Sequence, residues 1–315
     1  MPWLEAVRAE FRERLESDRL AHALLLSGPA GTGKQELAME MAAGLLCLED
    51  TLPACGVCRS CQLFNTGAHP EFRLLTFEAN DKGTVRTELV IEQIRKLISS
   101  LQLTTTFSKR KVAVFHPAEA MNRNAANALL KTLEEPPGAT VIILVSHDRS
   151  RLPVTIRSRC QNLNVRLPET SRAVKWLIEQ GDYDPARIES ALKAAAGSPL
   201  RALAALEDGS TDHYQLVSTT LDDMLTGRYG SGRAMATLAD ALTDVEPERL
   251  WTWLSLCAAE KIRQTIGEHE GENERVKHMS RMQSGADRNR YLLSTPVRKD
   301  LLLQDWLIQW AQLKA

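Results

Sequence analysis

A glycine-rich segment from Ser27 to Gln35 (SGPAGTGKQ) constrains the fold of this chain more than any other feature. It follows the apolar run Ala23 to Leu26 and precedes a helical pattern from Glu36 to Leu46. A strand, a glycine loop and a helix in this order build the phosphate-binding loop of α/β nucleotide-binding proteins, because backbone N–H groups and the helix N-terminus face the phosphate oxygens. The residues predicted to line such a loop are Gly28, Gly31, Gly33, Lys34 and Gln35.

Two positions that hold Mg²⁺ in hydrolysing proteins of this type carry unsuitable side chains. The residue after the loop lysine is normally Ser or Thr, whose hydroxyl binds the metal, whereas this chain has Gln35. A strand expected over Val112 to Phe115 ends in His116-Pro117 instead of an Asp, and the nearest carboxylate, Glu119, is out of register. We therefore predict no ATP hydrolysis. The loop either binds ATP or ADP silently or keeps its fold and binds nothing.

The first half alternates apolar runs with helical spacing, which predicts a parallel sheet with crossover helices. Further strands are expected at Leu74 to Phe77 and Thr140 to Val145. After Arg166 the strand signals end and helical patterns follow, and we interpret the polar stretch from Gly267 to Asp287 as a loop. The predicted domains are an α/β domain over 1–165, a small helical lid over 166–208 and an all-helical C-terminal domain over 209–315.

Four of the six cysteines lie close together in the sequence, at Cys47, Cys55, Cys58 and Cys61. Two overlapping C-x2-C steps are typical of a tetrahedral metal site, and Gly56 suits the tight turn between ligands. We predict a structural zinc knuckle over 47–61, inserted after the helix that follows the phosphate loop. Four unligated cysteines are one alternative. A zinc ribbon that binds nucleic acid is another, although only Arg59 adds positive charge within the knuckle.

Charge and hydropathy restrict the possible partners. Lys and Arg number 39 against 40 Asp and Glu, so no global field attracts the chain to nucleic acid or to an anionic membrane. No apolar run is long enough to cross a bilayer, and the first residues lack the pattern of a signal peptide. We expect a cytoplasmic protein with no membrane partner.

Two further segments carry a resemblance to a known family. Residues 127–137 read NALLKTLEEPP, and residues 158–160 read Ser-Arg-Cys. Together with residues 21–28 (AHALLLSG) and the four-cysteine insertion, they resemble the AAA+ subunits of the bacterial replicative clamp loader. The resemblance implies a RecA-like AAA+ sheet domain, a helical lid and a helical collar for oligomerisation. It also implies a hetero-pentamer with gamma/tau ATPase subunits and a delta subunit, which meets the sliding clamp and primer-template DNA through the complex.

The resemblance gives one residue a catalytic role on another chain. The Ser-Arg-Cys motif carries an arginine finger in this family, which implies that Arg159 reaches ATP held by a neighbouring gamma/tau subunit. The expected function is a non-hydrolysing, activating subunit in clamp loading during DNA replication; any polymerase activity would belong to the holoenzyme. The alternatives are an active AAA+ ATPase motor subunit of the same loader and an independent zinc-dependent DNA-binding module. For Arg159 itself, the alternative is a surface arginine paired with a carboxylate.

Two features of the helical half complete the predictions. From Lys299 to Ala315 most apolar residues share one helical face, but Leu301 and Ile308 fall on the opposite, polar side. This second apolar strip predicts a contact with another subunit. Arg201 lies one residue later than the nucleotide-sensing arginine that the resemblance implies, so we expect it to be a surface residue.

Overall fold

The computed structural model describes residues 1–80, 82–105, 107–243, 245–268, 273–293 and 295–313. The chain divides into two compact units, Met1–Arg172 and Ala173–Ala315. The first unit is an α/β fold, which confirms the predicted fold class, and the described residues of the second unit form helices and their connections. None of the helices in these ranges is long and apolar enough to cross a membrane.

A parallel sheet forms the centre of the first unit, with five strands among the described residues in the order β2-β3-β4-β1-β5. The strands are β1 (Ala23–Ser27), β2 (Phe72–Leu75), β3 (Lys111–Phe115), β4 (Thr140–Ser146) and β5 (Gln161–Asn164). Every residue of β1, β3 and β4 is buried, as expected for central strands of a parallel sheet. β2 lies two residues earlier than predicted. β5 was not predicted, because only Leu163 among its four residues is apolar and buried.

The helices of the first unit connect these strands. They are α1 (Glu5–Glu16), α2 (Lys34–Leu46), α3 (Arg59–Asn65), α4 (Ile91–Gln102), α5 (Arg123–Glu134) and α6 (Val154–Arg157), with short 3-10 turns at Pro2–Leu4, Ala118–Ala120 and Arg149–Arg151. α5 begins after Asn122, whose side chain accepts a hydrogen bond from the backbone of Ala125, and it ends just before two prolines that cannot continue a helix. Leu133 of α5 and Ile156 of α6 belong to one core cluster with Leu144 of β4, so both helices are packed on the sheet.

The helices of the second unit enclose two apolar clusters. They are α7 (Thr170–Gln180), whose first three residues belong to the first unit, α8 (Pro185–Ala194), α9 (Pro199–Glu207), α10 (Ser210–Leu225), α11 (Ser231–Ala241), α12 (Pro247–Glu268), α13 (Asn273–Leu292) and α14 (Lys299–Ala311). The smaller cluster lies among α7, α8 and α9, and the larger one contains Trp253, Trp306 and Trp310. The predicted domain boundaries near 165 and 208 stay predictions.

The predicted loop from Gly267 to Asp287 is wrong over most of its length. α12 extends to Glu268 and α13 begins at Asn273, while residues 269–272 lie outside the described residues. Met279, Met282 and Ala286 are buried at spacings of three and four residues, which is one face of a helix. This apolar stripe is narrow, and the polar composition of the segment concealed it.

Candidate functional site

The predicted phosphate loop connects β1 to α2. Gly28, Gly31 and Gly33 have positive φ angles of 149°, 70° and 84°. A Cβ on Gly28 would lie only 1.9 Å from the carbonyl oxygen of Val165, and the Val165 N–H donates to the Ser27 carbonyl at 2.8 Å. The backbone that follows β5 therefore passes so close to the loop that only glycine fits at position 28.

Lys34 is directed into its own loop. Its Nζ donates to the carbonyl oxygen of Pro29 at 2.5 Å, and the residue is only 2% exposed. The hydroxyl of buried Thr32 donates to the same carbonyl at 2.9 Å. Lys34 therefore stabilises the backbone conformation of the loop that carries it.

The N-terminal segment packs on the same loop. The indole N–H of Trp3 donates to the carbonyl oxygen of Thr32 at 2.8 Å. The Sδ atom of Met1 lies 2.1 Å from the position that a Cβ on Gly33 would take. Arg8 holds this segment, since its Nε lies 2.9 Å from both oxygens of a carboxylate on α2 and its Nη1 donates to the Met1 carbonyl at 3.3 Å. Met1 thus covers the N-terminus of α2, where phosphates bind in P-loop proteins.

The two positions for magnesium ligands differ from those of a hydrolysing site. Gln35 is exposed on the first turn of α2. His116, the residue after β3, packs edge-on against His147, the residue after β4, with ring centroids 5.2 Å apart. Burial lowers the pKa of His116; Glu119 opposes this shift and Lys34 reinforces it. The imidazole is therefore neutral near neutral pH and brings no negative charge to this edge of the sheet.

Glu119 was predicted to be out of register, but the structure brings its carboxylate to the same sheet edge. Its Oε1 accepts a hydrogen bond from the N–H of His147 at 2.9 Å, which ties the turn after β3 to the end of β4. Its Oε2 is buried and makes no hydrogen bond with any described residue. A carboxylate in this place is the group that an active hydrolytic site would use.

The four predicted metal ligands come together. The Sγ atoms of Cys47, Cys55, Cys58 and Cys61 all lie within 4.8 Å of one another. A tetrahedral site with Zn–S bonds of about 2.3 Å has sulfurs roughly 3.8 Å apart, and the Sγ atoms of Cys55 and Cys61 are 3.9 Å apart. Backbone N–H groups face the sulfurs, from Cys55 to Cys47 and from Cys58 to Cys55, each at 3.4 Å. This cluster can hold a metal ion such as zinc.

The acidities of these thiols are uneven. Burial acts to raise the pKa of Cys47, but hydrogen bonds, first from the backbone of Cys55, outweigh it and hold the pKa at about 6. Burial, reinforced by the hydrogen bond with Cys58, raises the pKa of Cys61 to about 12. A cation bound among the sulfurs would favour the thiolate form of these groups.

A buried network of polar side chains, which the sequence did not reveal, anchors the knuckle. The hydroxyl of Ser60 donates to the Leu46 carbonyl at 2.6 Å and lies 2.8 Å from Nε2 of His69. Glu71, beside His69, accepts a hydrogen bond from the Phe107 N–H at 3.1 Å. Burial lowers the pKa of His69. The sequence gives only a weak signal for this network. Ser60 lies between two predicted metal ligands, but the residues that it contacts are distant in the sequence.

Arg159 lies just beyond α6 and its side chain is 33% exposed. Its Nε donates to Oε1 of Glu134 at 2.6 Å, Nη2 donates to the same oxygen, and Nη1 donates to the Thr155 carbonyl at 3.0 Å. The structure thus shows the carboxylate pairing that is the alternative interpretation of Arg159, although the sequence did not identify Glu134 as the partner. Val154, at the start of α6, is 67% exposed. Arg201 is exposed on α9, as predicted.

The phosphate loop between β1 and α2, the strand order of the sheet and the helical second unit define an AAA+-type P-loop protein. The profile of the family described as "DNA polymerase III, delta subunit" matches residues 3–169. The chain is 34% identical to DNA polymerase III subunit delta' of Pseudomonas aeruginosa, over 99% of this chain and 97% of that protein. It is 30% identical to subunit delta' of Escherichia coli, over 98% of this chain and 94% of that protein. The chain belongs to the family of DNA polymerase III subunit delta'.

The chain is also similar to another subunit of the same enzyme. DNA polymerase III subunit tau of Escherichia coli is 29% identical over 82% of this chain, which corresponds to 40% of that protein. The predicted resemblance to the family is therefore confirmed.

Proposed function

We propose that this chain is a non-hydrolysing, activating subunit of a clamp loader and that it supplies Arg159 to ATP bound by a neighbouring subunit. The observation that carries the proposal is the pair of side chains at the magnesium positions, Gln35 and His116, in place of a hydroxyl and a carboxylate. The proposed assembly is a cytoplasmic hetero-pentamer with gamma/tau ATPase subunits and a delta subunit. It meets the sliding clamp and primer-template DNA through the complex.

The position of Arg159 supports its proposed action in trans. A cation beside the transferring phosphoryl group offsets the charge of the transition state and accelerates hydrolysis by about 10³ to 10⁵ in well-studied cases. Arg159 is partly exposed at the end of a helix that buried Ile156 anchors in the core. Guanidinium has five N–H donors and the described contacts of Arg159 use three, which leaves two for a phosphate oxygen.

The test is Arg159→Ala in a complex reconstituted with a tau ATPase subunit and a delta subunit. We expect ATP hydrolysis at the site that Arg159 serves, stimulated by clamp and DNA, to fall by about 10³ or more while the complex still assembles. Arg95→Ala, which removes an exposed arginine from α4, is the control. An unchanged rate for Arg159→Ala would contradict the trans role.

The second candidate function is an active ATPase motor subunit, which the carboxylate of Glu119 favours. It predicts magnesium-dependent phosphate release by the purified chain, abolished by Glu119→Gln. Our proposal predicts no release by the purified chain. Equilibrium binding of ATP and ADP, with and without Mg²⁺, then distinguishes a loop that holds nucleotide silently from one that binds none.

We assign zinc to Cys47, Cys55, Cys58 and Cys61, in a structural role. A site of four sulfurs is closed, because it leaves no coordination position for water or substrate. The guanidinium of Arg59 lies over the ring of Phe107, 5.5 Å from its centroid, so this charge is engaged within the protein. That contact gives no support to a DNA-binding ribbon.

We propose that α14 contributes to oligomerisation. Trp306 and Trp310 are buried on its inner face, whereas Leu301 and Ile308 are 50% and 41% exposed on the other side. Ile308→Glu should weaken the complex in analytical ultracentrifugation and leave the thermal midpoint of the isolated chain unchanged. Gln309→Glu, which adds the same charge to an exposed residue about a quarter turn around α14 from this strip, is the control. Loss of folding by Ile308→Glu would contradict the two-face interpretation.

A further inference from the structure

The guanidinium of Arg159 joins the C-terminal ends of two helices. α5 ends at Glu134, and its carboxylate accepts hydrogen bonds from Nε, at 2.6 Å, and from Nη2. α6 ends at Arg157, and the Thr155 carbonyl of its last turn accepts the hydrogen bond from Nη1 at 3.0 Å. The last carbonyl groups of a helix have no partner within it, so the arginine satisfies one of them.

Glu134 is not placed to stabilise its own helix. The last turn of a helix carries partial negative charge, so a carboxylate there is unfavourable. The side chain is also 49% exposed, and exposed ion pairs contribute little to stability because water and salt screen them. The contact with Arg159 is therefore better explained by what it does to the arginine.

That contact restricts the arginine strongly. A free arginine side chain samples many rotamers, but hydrogen bonds to two separate helices limit the guanidinium to one orientation. The described contacts leave one N–H on Nη1 and one on Nη2. A guanidinium held in this way keeps these two donors in a fixed orientation, which suits recognition of phosphate oxygens.

The backbone that carries the arginine is also fixed to α5. Ile156 is fully buried in the cluster that contains Leu129 and Leu133 of α5. On the opposite side of the same short helix, Val154 is 67% exposed. One side of α6 is therefore held by the core, while Val154 remains open to solvent.

We propose that Glu134 is a positioning residue for Arg159 and holds the guanidinium in the orientation in which it meets the nucleotide of the neighbouring subunit. The inference rests on the proposed function, since it takes Arg159 to act in trans. The N–H groups bonded to Glu134 differ from the two that remain, so the contact persists when a phosphate oxygen is engaged.

Glu134→Gln in the reconstituted complex tests this inference, because the amide keeps the shape of the carboxylate and removes its charge. We expect the kcat of ATP hydrolysis to fall about 10-fold, since small misplacements of a catalytic group reduce rates by up to about 100-fold. The KM for ATP should stay unchanged, because the arginine acts in the transition state. In an Arg159→Ala background the same substitution should cause no further loss, since Glu134 acts through Arg159.

The matched control is Glu135→Gln. Glu135 is the next residue, is also exposed to solvent, and its side chain makes no hydrogen bond or ion pair within the part of the chain that the structure describes. It should leave kcat unchanged.

The other outcomes overturn the inference in distinguishable ways. If Glu134→Gln leaves kcat unchanged while Arg159→Ala lowers it, Glu134 has no positioning role and the trans role of Arg159 stands. If neither variant lowers kcat, the proposed function fails as well. A higher kcat would mean that Glu134 competes with the nucleotide for Arg159. Loss of complex formation by Glu134→Gln in size-exclusion chromatography would make it an assembly residue.

Discussion

The phosphate loop and the cysteine knuckle lie at opposite ends of α2, and residue spacing predicted both. In the knuckle every expected ligand is present, and the four sulfurs converge within 4.8 Å. In the loop the glycines adopt the expected positive φ angles, but Lys34 is bonded to Pro29 of its own loop and the magnesium positions carry Gln35 and His116. The spacing of residues in a motif can thus predict the backbone conformation, while the chemistry of the site depends on each side chain in the motif.

The two regions also differ in what holds them. The loop is fixed by contacts with protein, because Val165 lies against Gly28 and Trp3 donates to Thr32. The knuckle is anchored to the protein at Ser60, but its four sulfurs lie within 4.8 Å of one another, and as thiolates they would repel one another unless a cation lay between them. The fold of the knuckle should therefore depend on bound metal, whereas the loop should keep its conformation without nucleotide.

The largest effect is expected from Cys58→Ser in the knuckle. Structural zinc supplies on the order of 10 kcal/mol of folding free energy, so loss of one ligand should release the metal and lower the thermal midpoint by roughly 10 °C or more. Elemental analysis measures the metal content, and calorimetry measures the thermal midpoint. The control is Cys160→Ser, outside the cluster, which should retain the metal. An unchanged thermal midpoint for Cys58→Ser would show that the knuckle, like the loop, keeps its fold without a ligand.

A smaller effect is expected from Gly28→Ala in the loop. The added Cβ would meet the Val165 carbonyl oxygen at 1.9 Å, so we expect a loss of about 3 kcal/mol in the free energy of unfolding, with or without nucleotide. Gly138→Ala is the control for backbone strain, since Gly138 also has positive φ, 61°, but open space around its Cβ position. It should lose only about 1 kcal/mol. Equal losses measured by urea unfolding would show that the close approach of Val165 is unimportant.

Lys34→Met should have a still smaller effect. It leaves the Pro29 carbonyl without this donor, which should lower the free energy of unfolding by about 1 kcal/mol. ATP hydrolysis by the reconstituted complex should change by less than about 2-fold, because the proposed chemistry takes place on the neighbouring subunit. A fall in rate comparable with that of Arg159→Ala would mean that this loop takes part in hydrolysis.

The smallest effect concerns pH at the sheet edge beside the loop. Burial lowers the pKa of His116, so the folded state binds the proton less tightly than the unfolded state does. This contribution to stability is complete above the unfolded pKa of about 6.5 and is lost as the pH falls through the lower folded value. Urea unfolding near neutral and at acidic pH should show a smaller loss for His116→Gln than for the parent chain. An equal loss would assign the pH dependence to other groups.

Local chemistry explains which predictions succeeded. The phosphate loop, the convergence of the four cysteines and the end of α5 before Pro136 are each determined within a short segment, so their geometry could be read from the sequence. β5 was missed because Gln161 to Asn164 is a largely polar edge strand that pairs only with β1 among the described strands. α13 was missed because its buried face is narrow.

Contacts between distant segments could not be predicted. The pairing of Glu134 with Arg159 depends on how α6 packs on α5, and the residue pattern of neither helix predicts that packing. The same holds for Trp3 on Thr32 and for His69 beneath the knuckle. The carboxylate of Glu119 reaches the end of β4 although its position in the sequence argued against this.

The length of α5 makes the distance between Glu134 and Arg159 sensitive to the tilt of the helix. The residues just before α5 are tied to the segment before α4, since the Leu89 N–H donates to the Ala120 carbonyl at 2.9 Å and the Asn122 N–H donates to the Leu89 carbonyl at 3.2 Å. Twelve residues make a rod of about 18 Å, so a tilt of about 10° around this fixed end moves Glu134 by roughly 3 Å. A displacement of that size would break the 2.6 Å hydrogen bond to Arg159 if α6 did not move with it. Leu129 and Leu133 of α5 share one core cluster with Ile156 of α6, so the two helices are held together and the ion pair keeps its distance.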